Sequence, residues 1–196
     1  MHTFDTGDLL LFHKARGLHI FGSLIQWATD SPFSHIGMVI RDPTFIHPAL
    51  TGAFLWQSTR TTVPDAASGK HVFGVQLTPL HECLKANPDY QFSSRSVLRG
   101  RGLFSPHKLA DIFERTYSKP YDIVPRDWLH ALVHTEAVPP TPDRFWCSAL
   151  VAYILTQLGG LPPDTDWGLI RPVDLSSSAP VQLPWVDVGY GVDRRL

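Results

Sequence analysis

The run DLLLF, Asp8 to Phe12, is apolar and short, a pattern that predicts a buried strand after a turn at Asp5 to Gly7. Apolar residues then fall at Leu18, Phe21, Ile25 and Ala28, a helical spacing that Thr29, Asp30, Ser31 and Pro32 bring to an end. HIGMVI, His35 to Ile40, predicts the next strand, closed by a turn at Arg41 to Pro43. Phe45 to His47 and Phe54 to Ser58 predict a further strand, interrupted or bulged around Gly52. Thr59 to Lys70 is a polar loop, and Val72 to Leu77 resumes a strand. Pro79 to Lys85 reads as a short helix and Tyr90 to Leu98 as another strand. Pro106 follows Ser105 at a first helical position, so a helix is expected to about Tyr117. A second helical piece, Arg126 to His134, precedes the loop VPPTPD. Trp146 to Leu158 is the strongest helical pattern, stopped by Gly159, Gly160, Pro162 and Pro163. From Leu161 the tail is rich in Pro and Ser, with little periodicity. The class is α+β, with strands mostly in the first half and helices mostly in the second.

Composition narrows the class of function. A chain of 196 residues is expected to form one domain, 1–196, with its motifs in about 7–175 and a tail over 161–196. With 17 Lys+Arg against 18 Asp+Glu the net charge is -1, too weak a field to steer the protein onto nucleic acid. Ten histidines make that charge sensitive to mild acid. Two cysteines make a poor disulfide framework, which suits a reducing compartment. The opening MHTFDTGDLLLF does not read as a signal peptide, and no apolar run approaches the ~20 residues of a membrane span. A cytoplasmic protein without stable membrane insertion is the expectation, its oligomeric state open.

A thiol not needed as a staple is available for chemistry. Cys147 falls in the first turn of the helix FWCSALVAYILTQL, where unpaired N–H groups and the helix dipole favour a thiolate. The same N–H groups can donate to an oxyanion formed when the sulfur attacks a carbonyl. The alternative reading is a core thiol near a helix start. Cys83, in LHECLK, has no comparable setting and reads as structural. A thiolate needs a base, and His35 opens the strand HIGMVI just after a turn; its alternative is an ordinary edge histidine. His130 and His134 stand four apart with Glu136 close by, but without the inner acid of a zinc helix they read as a surface pair. RGRG, Arg99 to Gly102, is too short for a nucleic-acid patch.

Taken together, GDLLLF, SPFSHIGMVI, KPYD and FWCSALVAYIL resemble, in that order, the permuted papain-like hydrolases. These are circularly permuted relatives of the NlpC-type peptidases, and include YaeF/YiiX-like amidases and the lecithin:retinol acyltransferase family. The distinctive element is histidine first on a strand and cysteine later on a helix. The resemblance covers about Gly7 to Leu158 and weakly the segment RPVDL. It implies a small antiparallel sheet packed on helices, with Cys147 as nucleophile and His35 as base and acid. A third group should orient His35, and two candidates stand open. His47 has the spacing of the second histidine in the acyltransferase branch. Gln57, in FLWQST, sits where the YiiX-like branch has a glutamate, on a stretch that reads as unbroken strand, whereas Pro48 follows His47. Tyr121, in KPYD, resembles a tyrosine of NlpC-like enzymes that places a hydroxyl near the oxyanion; a core tyrosine is the alternative. The implied reaction is hydrolysis of a peptide-like amide or an ester through a thioacyl intermediate, with no cofactor. Lipid acyl hydrolysis or transfer, and a catalytically weak module that binds peptide or lipid, are the alternatives.

Overall fold

A computed structural model describes residues 3–13, 32–122 and 142–196. The helices expected at Leu18 to Ala28 and at Arg126 to His134 lie outside the described residues, as do Glu136 and most of VPPTPD. Strand β1, Leu9–His13, shows why DLLLF is apolar without alternation. Leu9 and Leu11 enter a large core on one face of the sheet, while Leu10 and Phe12 enter a smaller core on the other. The chain continues through β2 (Phe33–Arg41), β3 (Ala53–Arg60), β4 (Phe73–Pro79), α1 (Leu80–Ala86), β5 (Phe92–Arg95) and β6 (Val97–Arg99). Helix α2 (Pro106–Thr116) and helix α3 (Cys147–Leu158) follow, then two short strands, β7 (Gly189–Tyr190) and β8 (Arg194–Arg195). Six strands form one antiparallel sheet in the order β4-β3-β2-β1-β5-β8, and β6 pairs with β7 apart from it.

Helix α3 is the centre of the large core. All its residues but Gln157 are buried, which explains why its sequence is apolar on every side. It packs against β2 and β3. Gly159 ends it in the left-handed conformation, φ 82°, as the Gly-Gly stop implies. Helix α1 covers the opposite face, where Leu80 and Cys83 meet Leu10, Phe12, Val39 and Leu55.

Two expectations are corrected. Phe45 to His47 is a turn, because Pro43 and Pro48 flank it and the Ile46 N–H closes onto the Pro43 carbonyl. The single strand expected over Tyr90 to Leu98 divides at Ser96, whose carbonyl takes the Gly191 N–H, and the two halves join different sheets. The tail, despite its lack of periodicity, is built into the structure. Buried Arg95 donates to the carbonyls of Leu175 and Gly191 and lies 5.5 Å from the ring centroids of both Trp185 and Tyr190.

Gly74 matters to the site through close backbone approach. At φ 151° it bridges Pro120, and an added Cβ would overlap the Lys119 carbonyl oxygen. Gly74→Ala is expected to destabilise the protein by about 2–4 kcal/mol, since backbone on both sides must move. A chemical denaturation midpoint within error of wild type would count against this close fit.

Candidate active site

Strands β2 and β3 are paired only from Met38 opposite Trp56 to Arg41 opposite Ala53. Beyond Met38 toward the start of β2 they part, and the segment leading into α3 is tied beside the opening. Ser58 Oγ donates to the Phe145 carbonyl at 2.6 Å, Phe145 N–H donates to the Pro120 carbonyl, and Tyr121 bridges Phe145 in parallel. These bonds place Cys147 at the first position of α3. The residue before it, Trp146, provides no side-chain cap, so the first-turn amides are free to serve the sulfur.

The backbone N–H groups of Ile36, Ser148 and Cys147 itself, with the Ser148 side chain, lie near enough to the Cys147 sulfur to favour its thiolate. The Ile36 N–H belongs to the peptide that joins His35 to Ile36, so the sulfur lies against the backbone of the predicted base. Burial nevertheless outweighs these donors and pushes the thiol up to about 11. The expectation of a resting thiolate is thereby corrected: desolvation exceeds what the helix start supplies.

His35 and Gln57 meet across the opening, with His35 Nε2 2.7 Å from Gln57 Oε1. With the carboxamide oxygen facing it, Nε2 carries the proton and donates, and Nδ1 is left with its lone pair. Part of His35 touches solvent, yet enough protein surrounds the imidazole for burial to hold it down at about 4; the Gln57 bond works in the opposite direction. Phe12 stands edge-on to the imidazole, centroids 4.7 Å apart at 75°. Near neutrality both the thiol and the imidazole are therefore uncharged.

Tyr121 is close enough to Cys147 for a thiolate there to raise its phenol pKa, although burial is the larger cause. Its ring stacks on Phe73, centroids 5.2 Å apart at 11°, and Phe73 is 50% exposed. His47 is elsewhere. It lies exposed in the connection after β2, its Nδ1 accepting from the Ala49 N–H, at the end of the strand away from His35. Arg41 stands six residues along the strand from His35, or ~20 Å. The structure thus pairs the side chains of His35 and Gln57, sets the Cys147 sulfur near the adjoining Ile36 N–H with Tyr121 close by, and leaves His47 out. Phe12, Ser58 and Thr78 were not singled out from sequence: Phe12 and Ser58 lay on expected strands whose partners were not yet known, and Thr78 fell just beyond the strand expected over Val72 to Leu77.

No family model matches this chain, and no curated protein matches it. Among solved structures it is similar to the crystal structure of metalloprotein yiiX from Escherichia coli O157:H7, with TM-score 0.51, 17% identity and 97% of each chain covered. That protein is described as a metalloprotein, and a metal site needs several donors that converge. Among the described residues no group of three or more His, Cys, Asp and Glu side chains converges to hold a metal ion. His35 and Cys147 contribute two donors, and the third neighbour, Gln57, is an amide already bonded to His35. Likewise, among the described residues no helix is long and apolar enough to cross a membrane. At this identity the likeness bears on fold alone: the chain has a mixed α/β, YiiX-like fold.

Proposed function

We propose that this chain is a cysteine hydrolase that cleaves a peptide-like amide or an ester through a thioacyl intermediate on Cys147. The observation that carries the reading is the pairing of a fixed imidazole, His35 on Gln57, with a helix-start sulfur near the adjoining Ile36 N–H. His35 Nδ1 takes the S–H proton as sulfur attacks the acyl carbon. The oxyanion is met by first-turn N–H groups of α3 and by the Tyr121 hydroxyl. The resulting imidazolium then protonates the leaving amine or alcohol. Water, deprotonated by His35, attacks the thioester and releases the acid and the thiol. No cofactor, nucleic acid or membrane insertion enters the scheme, and a cytoplasmic acyl substrate is the preferred one.

One feature favours a second reading. Gln57 offers His35 no full charge to stabilise imidazolium, and the resting thiol is protonated, as in a module that binds peptide or lipid without turning it over. Acyl probes separate the two readings. Incubation with peptide-like and lipid-like activated acyl groups is expected to add one acyl mass to Cys147, and none to a Cys147→Ala variant. The probe class that labels names the substrate class. Binding of both probes without any mass at Cys147 would leave the module.

A further inference from the structure

Gln57 is held more firmly than one bond to His35 requires. Its Nε2 donates to Thr78 Oγ1 at 2.9 Å, and Gln57 stands close enough to the Cys83 thiol to work against the rise that burial causes there, on the face of the sheet that α1 covers. All three side chains are buried. A carboxamide has two N–H donors and one oxygen, and the two sides of this site are unequal. Thr78 and Cys83 present two acceptors on one side; the imidazole presents a single nitrogen on the other. In the observed orientation the amide nitrogen donates to Thr78 on the side where Cys83 also lies, and the oxygen faces His35. Turned over, the amide oxygen could still take the Thr78 hydroxyl, but the amide would spend one N–H on His35 Nε2 and bury the other without an acceptor.

We propose that Thr78, supported by Cys83, is a positioning residue that locks the Gln57 carboxamide and thereby selects the Nε2–H tautomer of His35. Neither residue touches the reacting atoms. Their effect is to keep Nδ1 unprotonated and available. Cys83 then has a role besides filling the small core, and Thr78 ties the edge strand β4 to the site. The catalytic consequence rests on the hydrolase reading above; the tautomer itself does not.

Nitrogen NMR of the full chain, labelled at histidine and recorded near pH 7, reads the tautomer directly. Wild type is expected to show His35 protonated at Nε2. Thr78→Val keeps the shape and removes one acceptor, so a population protonated at Nδ1 should appear. If the hydrolase reading holds, kcat should fall about 10–100-fold with KM little changed, and Thr78→Ser should restore both readouts. Should Thr78→Val not fold, Cys83→Ala removes the other acceptor and is expected to shift the tautomer in the same direction. A wild-type His35 protonated at Nδ1 would overturn the proposal, and so would a folded Thr78→Val or Cys83→Ala with an unchanged Nε2–H signal. An altered tautomer in a chain that never acylates Cys147 would sink the hydrolase reading and leave this one standing.

Discussion

His35→Ala is expected to lower acyl turnover about 1,000–10,000-fold, while His47→Ala stays within about twofold of wild type. The asymmetry follows from placement. His35 presents a lone pair at Nδ1 because Gln57 occupies Nε2, and the Cys147 sulfur sits on the adjoining Ile36 N–H. His47 is exposed at the far end of β2 and bonds only its own turn. The pH dependence of kcat/KM reports the free enzyme. In the proposed scheme the reactive form is neutral thiol beside neutral imidazole, so activity should rise as His35 loses its proton near pH 4 and hold level until Cys147 ionises near pH 11. A preformed thiolate–imidazolium pair would behave differently, losing activity as the imidazolium deprotonates around neutrality. Iodoacetamide gives an independent reading of the same point. Its rate at Cys147 should stay low near pH 7 and climb toward pH 11. Alkylation near pH 7 faster than that of an exposed cysteine, or a His47→Ala loss matching that of His35→Ala, would move the base and the protonation states away from this scheme.

The parts of the site visible in the sequence are those set by local pattern. Cys147 was legible because a long apolar helix with a clear Gly stop puts it in the first turn. HIGMVI was legible because a run of buried residues between turns has few alternatives to a strand. His47 against Gln57 could not be decided, since spacing along the chain carries no register. The pairing of Gln57 with Gln76 and of Leu55 with Thr78 fixes which side chains share a face, and that is a property of two strands together. The effect of burial on Cys147 was not legible for a related reason. A helix start was visible, whereas the depth of burial that opposes it depends on packing between distant segments. The tail was opaque because Arg95, its anchor, lies some eighty residues before Leu175, the first carbonyl it binds.

Gln57→Glu tests the electrostatics of the dyad more sharply than removal of the side chain. In wild type, burial depresses His35 from 6.5 to about 4. Its neutral form therefore contributes stability that is fully present above pH 6.5 and lost as pH falls through 4. At ~1.4 kcal/mol per unit this amounts to about 3 kcal/mol. An introduced carboxylate would face the Nε2–H that Gln57 Oε1 now receives. An opposite charge at hydrogen-bond distance favours imidazolium and raises its pKa by ~1–3 units. The acid limb of kcat/KM should accordingly move from about 4 to roughly 5–7, and the loss of stability between pH 6.5 and 4 should shrink. The variant also brings a second charge into a buried place where Thr78 offers a hydroxyl and Cys83 only a weak S–H donor. Its stability above pH 7 is thus expected to fall below wild type even as its acid sensitivity diminishes. Paired pH profiles of kcat/KM and of the denaturation midpoint measure both effects. An acid limb that stays near 4 in a folded Gln57→Glu protein would mean that Gln57 does not act on His35 at all, and the third catalytic position would have to be sought elsewhere.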